Sequence, residues 1–204
     1  LQKSMTISEI TNLTGIRVVS HGSDPSNQAN VLVAGCGTGQ HSIEAAVRYA
    51  NSNITAIDLS LSSLSFALRQ TRELNIENIN YLHGDILDLT SWENTFDVIE
   101  TTGVLHHMSD PMSGWRILKR CLKPKGLMRV GLYSGLALAG LAEVREKMGE
   151  LERPITNQKI YDYRNKVLDR AGLEFEKLAR YPDFFSTSEL RDLLFHVQEH
   201  TFTL

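Results

Sequence analysis

From Asn30 onward the chain alternates between two hydrophobic rhythms. Asn30 to Ala34 is a short apolar run closed by a glycine, which predicts a buried strand. Gln40 to Ala50 then sets Ile43, Val47 and Ala50 at helical spacing. The pair repeats: Asn53 to Ile57 reads as a strand, and Ser60 can cap a helix whose Leu61, Leu64 and Leu68 share a face. Ile79 to Leu82 predicts a third strand and Phe96 to Thr101 a fourth. Asp110 places a capping carboxylate ahead of Pro111 at the first helical position. The helix that follows carries Trp115, Leu118 and Leu122 and stops at Pro124-Lys125-Gly126, and Leu127 to Leu132 predicts a fifth strand. Strands alternating with helices in this way imply an α/β fold: a doubly wound, mostly parallel sheet with helices on both faces.

The rhythm does not hold at either end. Residues 1–29 form a preamble in which Ser8 can cap a short helix and His21 to Asn27 is dense in turn formers. From Ser134 the pattern turns helical, with Leu136 to Glu150, Thr156 to Ala171, and a helix opened by the capping box Ser186-Thr187-Ser188-Glu189. No linker composition separates this stretch, so residues 134–204 read as a helical lid or insertion in the same domain as a core spanning 30–133. The chain begins at Leu1 and ends at Thr203-Leu204 without a polar tail, which reads as a piece of a longer protein.

Composition narrows the class. With 204 residues, 42% of them hydrophobic, the chain can bury a substantial core. The formal charge of -3 is not gathered into blocks, and nothing resembles a basic strip for nucleic acid. Cys36 and Cys121 are too few for a disulfide framework. The longest apolar stretch, Gly135 to Ala142, is far short of the roughly 20 residues that span a bilayer. A soluble, cytoplasmic protein with no membrane partner is the expectation.

Candidate chemistry gathers after the first two strands. Val31 to Gln40 spells a strand, a glycine turn and a helix start, where glycines admit a ligand close to the backbone and free N–H groups meet an anion. A dinucleotide-binding turn reads G-x-G-x-x-G. Here the third glycine, Gly39, comes one residue early and Gln40 stands in its place, a spacing that favours a carboxylate-bearing ligand over a pyrophosphate. A purely structural tight turn is the plainer alternative. Asp58 ends the second strand, where an acid can accept from both hydroxyls of a ribose; capping the next helix is its bland role. Asp85 follows the third strand and either accepts from an adenine amine or makes an Asx turn.

Taken in order, Gly35-Cys36-Gly37-Thr38-Gly39, Ile57-Asp58-Leu59-Ser60, Gly84-Asp85-Ile86 and Phe96-Asp97-Val98-Ile99 resemble the motifs of class I S-adenosylmethionine (SAM)-dependent methyltransferases. Gly103-Val104-Leu105-His106-His107-Met108 and Leu122-Lys123-Pro124-Lys125-Gly126 fit the same resemblance, which covers about residues 30–133. It implies a Rossmann-like core, SAM as cofactor with S-adenosylhomocysteine as product, and an acceptor that the motifs do not name. By this resemblance Gly35, Cys36, Gly37, Thr38 and Gly39 wrap the methionine end of SAM. Asp58 and Leu59 hold its ribose side, and Asp85, Ile86 and Thr102 complete the cofactor site. Two departures stand out: the acid that many members carry two residues before the first glycine is Val33, and the two strands that usually close the family's sheet have no clear counterpart after Leu132, Leu173 to Leu178 being the one candidate. The segment from Asp183 to His200 is similar to a stretch of bacterial methyltransferases fused to tetratricopeptide repeats, which suggests further domains of a longer parent chain.

A methyl acceptor with a removable proton can require a base. His106 and His107 follow the fourth strand, where substrate arrives in such a sheet, and histidine titrates in the right range; packing for one and solvation for the other is the alternative. Glu100 and Tyr133 are lesser pocket candidates. His196-Val197-Gln198-Glu199-His200 matches the H-x-x-E-H zinc pattern, but only four residues remain for a third ligand, so no metal site is expected. Competing readings are an NAD-dependent oxidoreductase, disfavoured by Gln40; an aminopropyltransferase, disfavoured by the lack of acids after the fourth strand; and a non-catalytic SAM-binding module of a larger protein.

Overall fold

The structure is a computed structural model describing residues 28–49, 51–136, 155–169, 181–195 and 199–203, with Leu138, Leu141, Val144 and Leu178. The Ser8 cap and the turn-rich stretch before residue 28 lie outside the described residues. The chain divides into two compact units, Leu1–Leu132 and Tyr133–Leu204.

The first unit runs β1 (Ala29–Ala34), α1 (Gln40–Arg48), β2 (Ser52–Asp58), α2 (Leu61–Glu73), β3 (Ile79–His83), β4 (Phe96–Thr102), α3 (Pro111–Cys121) and β5 (Leu122–Gly131). Short 3-10 turns follow β3 at Ile86–Ser91 and β4 at Leu105–His107. The strands lie in the order β3-β2-β1-β4-β5, every pair parallel. The chain therefore starts in the middle, winds outward to β3, and returns past β1 to place β4. That reversal opens a crevice beyond the carboxyl ends of β1 and β4, where open α/β sheets receive ligands.

Alternation along β1 builds the two layers. Val31 and Val33 face a core completed by Ile54 and Ala56 of β2, Ala45 of α1 and Leu64 of α2. Leu32 and Ala34 face the other core, with Ile57, Ile99, Leu105 and the α3 residues Ile117, Leu118 and Cys121. Both faces of the sheet are covered, as the short all-apolar strands predict.

Local chemistry sets the helix starts. Ser60 accepts from the Ser63 backbone N–H at 3.2 Å and caps α2. Asp110 caps α3 through the Met112 and Ser113 N–H groups at 3.0 and 3.1 Å, with Pro111 at the first turn. The Ser113 hydroxyl and backbone also hold the exposed Asp110 carboxyl below its ordinary range.

Tertiary packing corrects several predicted faces. α2 buries Leu64, Ala67 and Thr71, while Leu61 is 62% and Leu68 38% exposed. Of the i, i+3, i+7 leucine stripe only Leu64 stays buried; Leu61 and Leu68 turn outward because the small Ala67 and Thr71 let the helix sit close to the sheet. In α1 the buried positions are Ser42 and Ala45, Val47 is exposed, and the helix ends at Arg48. α3 stops at Cys121, not at Pro124, and Leu122 already pairs with Phe96. The Pro124-Lys125-Gly126 segment is an irregularity within β5: pairing resumes with Val98 opposite Leu127, and Lys125 takes φ 67°.

The second unit has its own core, including Leu141, Ile160, Val167, Phe184, Leu190 and Leu193. Among its described residues two continuous α-helices are α4 (Asn157–Asp169) and α5 (Thr187–Phe195). Thr156 starts α4 by accepting from the Lys159 N–H at 3.3 Å, and Ser186 directly precedes α5. The described positions Gly135, Leu136, Leu138, Leu141 and Val144 are helical, as is Leu178, whereas 173–177 and the Ser188 and Glu189 side chains of the capping box lie outside the described residues. Ser134 and Phe202 form an isolated parallel bridge. Among the described residues no helix is long and apolar enough to cross a membrane.

Candidate cofactor site

The turn from β1 into α1 is held open by three glycines with positive φ: Gly35 at 77°, Gly37 at 52° and Gly39 at 94°. Gly35 also has no room for a side chain, since a Cβ would stand 2.1 Å from Val104 Cγ2. A Cβ on Gly37 would meet nothing within 4 Å, so the turn is open above it. Thr38 is exposed at its tip, and Cys36 is buried beneath it. Burial, and then the negative charge of Asp58, push the Cys36 thiol up to about 12, so it is a neutral packing group.

Backbone donors tie this turn to the next strand. The N–H groups of Gly35 and Cys36 both donate to Ile57 O, at 2.8 and 3.0 Å. The Gly37 N–H donates to Asp58 Oδ2 at 2.7 Å, and the Ser60 N–H to Asp58 Oδ1 at 2.9 Å. Each carboxylate oxygen keeps further lone-pair capacity, so Asp58 anchors the turn and still presents acceptors beside it. Leu59, 66% exposed, flanks it.

α1 begins at this turn with Gly39 as its cap residue, which supplies no side-chain bond to the first-turn N–H groups. A helix start without a capping oxygen, an open glycine and an adjacent carboxylate together suit a ligand bearing a carboxylate on one end and a ribose on the other. SAM has both, so the residues present fit it.

The remaining candidates fall in different places. Asp85 caps the 3-10 turn after β3, its Oδ1 accepting from the Leu87 N–H at 2.9 Å, which is the Asx-type role. Ile86 is 6% exposed and packs in the core beside Leu32 and Ile99. Thr102 ends β4 half-buried against Gly131. His106 and His107 share the 3-10 turn after β4, their ring centroids 4.1 Å apart and tilted by 60°. His106 is 1% exposed and His107 half-buried, so the second histidine is the more accessible to an acceptor.

Glu100 is a structural residue. Its Oε1 accepts from the Tyr49 hydroxyl at 2.6 Å and from Arg48 at 2.8 Å, in a nearly dry site. Burial first, and this bond second, raise the Tyr49 phenol above its ordinary range. Glu100 lies directly across from Val33, but Tyr49 and Arg48 hold its Oε1 and Arg129 stands 3.7 Å from its Oε2, which engages the carboxylate that could have stood in for the missing acid. Tyr133 belongs to the second unit, where its carbonyl accepts from the Phe202 N–H at 2.9 Å. Residues 196–198 of the H-x-x-E-H pattern lie outside the described residues.

Sequence reading missed a set of hydroxyls beneath the turn. The Tyr81 hydroxyl lies 3.0 Å from Ser42 Oγ and 2.8 Å from Thr71 Oγ1, and Ser42 donates to Gly39 O at 2.9 Å. His83 was missed too; its Nε2 lies 3.1 Å from Leu59 O, next to Asp58. Neither sits in a local motif, and only the β2–β3 pairing brings them to the site.

The chain is similar to several known proteins. An uncharacterised protein of Synechococcus is 30% identical over 138 residues, covering 67% of this chain and 32% of that protein. A tRNA (guanine-N(7)-)-methyltransferase of Pediococcus pentosaceus is 28% identical over 172 residues, covering 84% of this chain and 74% of the relative. The solved structure of PKMT2 from Rickettsia typhi in complex with AdoHcy shares the fold with a TM-score of 0.64 at 22% identity, over 86% of this chain and 36% of that one. The chain thus spans about a third of the length of two of these three. Residues 25–172, more than half of the chain and containing the whole glycine turn and Asp58, match the methyltransferase domain family, and the chain belongs to that family, with the class I SAM-dependent fold.

Proposed function

We propose that this chain moves the methyl group of SAM to an acceptor that is a small molecule or a protein side chain. The observation that carries the reading is the 2.7 Å bond from the Gly37 N–H to Asp58 Oδ2, which sets a carboxylate at the lip of an open glycine turn. In this reading Gly35, Cys36, Gly37, Thr38 and Gly39 contribute backbone to the methionine end of the cofactor. Asp58 accepts from the ribose, with Leu59 beside it, and Asp85 and the Ile86 backbone line the adenine side. Thr102, at the end of β4, would complete the cofactor site. The cofactor's sulfonium makes the methyl electrophilic, and that is the chemistry it supplies when bound.

The chain's own contribution is orientation. Loops fixed by backbone donors hold the cofactor while side chains of the loop after β4 align an acceptor with its methyl, and such alignment is worth several kcal/mol of the barrier. His107 serves as base for an acceptor that must lose a proton, and His106 packs behind it. Val33 in place of an acid leaves the ammonium of the cofactor to backbone carbonyls or water. A tRNA acceptor, as named for the Pediococcus relative, would call for phosphate-contacting cations, and the sequence has no concentrated basic run.

Titration calorimetry with SAM, S-adenosylhomocysteine and NAD tests the cofactor. Binding of both sulfur ligands is expected, and binding of NAD alone overturns the reading. Transfer of labelled methyl from SAM to small-molecule, protein and tRNA panels then identifies the acceptor. Tight SAM binding with no transfer to any of these panels would replace the enzyme with a SAM-binding module.

A further inference from the structure

We propose that Tyr81 is a positioning residue for the cofactor turn, acting through a one-way chain of hydroxyls that runs from Thr71 through Tyr81 and Ser42 to the carbonyl of Gly39. The inference rests on the reading of that turn as the cofactor site.

The direction of the chain follows from counting protons. Each hydroxyl has one hydrogen to donate. Ser42 gives its hydrogen to Gly39 O, which can only accept, at 2.9 Å. Ser42 Oγ must then accept from Tyr81 across 3.0 Å, and Tyr81, its own proton used, must accept from Thr71 across 2.8 Å. No other arrangement satisfies all three contacts. Bonds aligned head to tail polarise one another, so the last one, to Gly39, is strengthened by those behind it.

The setting is dry. Ser42 is fully buried and Thr71 is 3% exposed. Ser42 comes from α1, Thr71 from α2 and Tyr81 from β3, so three elements converge on one carbonyl. Gly39 also packs close against α2 and β3, because a Cβ there would stand 2.6 Å from Ala67 Cβ and 3.1 Å from the Tyr81 hydroxyl. Gly39 O accepts in addition from the Ile43 N–H at 2.9 Å, the first bond of α1. With its carbonyl pinned downward and its φ held at 94°, Gly39 fixes the aim of the N–H groups that follow it at the start of α1. Those groups are the ones that meet an anionic ligand end.

The chain therefore predicts a graded loss of affinity: Ser42→Ala the most, then Tyr81→Phe, then Thr71→Val. A group that only stabilised the fold would lower the melting temperature and leave affinity alone. Calorimetric titration with S-adenosylhomocysteine, beside thermal melts of each apo variant, distinguishes the two. Tyr81→Phe is expected to weaken binding about threefold to tenfold, the range for one lost hydrogen bond. Wild type that binds while a folded Tyr81→Phe binds equally well overturns the positioning role alone. Wild type that fails to bind overturns the cofactor reading beneath it. Should Tyr81→Phe unfold, Thr71→Val keeps the ring in place and carries the test, and unchanged affinity there overturns the proposal.

Discussion

On the β1–β2–β3 side of the crevice, each loop is tied to its neighbour by backbone groups. Gly35, Cys36 and Gly37 donate to Ile57 and Asp58, and the Gly84 N–H donates to Asp58 O at 3.1 Å. On the β4 side the tie to a neighbouring strand is longer, Gly103 N–H to Gly131 O at 3.4 Å, and the loop is held mainly by its own short turn, His107 N–H to Val104 O at 2.9 Å, and by apolar packing of Val104 and Met108. The first arrangement suits a ligand whose shape never changes. The second leaves the geometry to side chains, which can be exchanged without disturbing the sheet. A methyltransferase needs both, since all members share the cofactor and differ in the acceptor.

Gly35 is where the two sides touch, and substituting it should have the largest effect. Gly35→Ala puts a methyl into Val104 and a side chain at positive φ; left-handed strain and overpacking together should cost about 2–5 kcal/mol of stability. Chemical denaturation measures it, and adding Val104→Ala should recover only the overlap component. Full recovery would mean that the positive φ carries no strain and that the two sides meet through packing alone.

His107→Ala sharpens the contrast from the acceptor side. With an acceptor that must lose a proton, kcat should fall about a hundredfold or more, while affinity for S-adenosylhomocysteine stays at the wild-type value. A parallel loss of cofactor affinity would move His107 to the cofactor side. Asp58→Ala should do the reverse, weakening S-adenosylhomocysteine binding by about 1–3 kcal/mol. Calorimetry on Asp58→Asn separates ribose recognition from anchoring of Gly37, because the amide can still accept one N–H.

The smallest effect per unit change is a pH dependence. Folding raises the Cys36 thiol from 9.0 to about 12, through burial and the nearby Asp58 charge. Its contribution is complete below about pH 9 and is lost as pH climbs toward the folded value, because only the unfolded thiol ionises in between. The slope attributable to this group is at most about 1.4 kcal/mol per pH unit. Urea melts of wild type and Cys36→Ala from pH 8 to 11 should diverge in that window, and parallel curves would refute the assignment.

The cofactor half was largely legible in the sequence, for a physical reason. Glycines at positive φ, a strand-ending acid and a capping serine are local demands, and each leaves its residue type in place: Gly35, Asp58 and Ser60 sit where the pattern puts them. Features decided by long-range pairing were not legible. Pro124-Lys125-Gly126 looks like a stop signal, yet Leu122 had already found Phe96, and the sheet absorbed the segment as an irregularity. Leu61 and Leu68 form a sound helical stripe, but Ala67 and Thr71 allow the closer approach and so take the core. The burial of His106 and the convergence of Thr71, Tyr81 and Ser42 depend on partners up to 39 residues apart. No local pattern encodes them.

β1 is hydrogen-bonded on both sides, by β2 and β4, and Val31 and Leu32 within it are fully buried. Its amides can exchange with solvent only when the whole sheet opens, whereas those of β3, at the sheet margin, can exchange by fraying. The glycine turn continues directly from this innermost strand. A ligand seated there must leave before β1 can open, so it adds its binding energy to global unfolding, about 2.7 kcal/mol at a concentration of one hundred times Kd. Deuterium uptake along β1 is thus a built-in gauge of occupancy. It should slow in step with added cofactor while uptake at the outer margin of β3 changes little, and it reports binding without any knowledge of the acceptor.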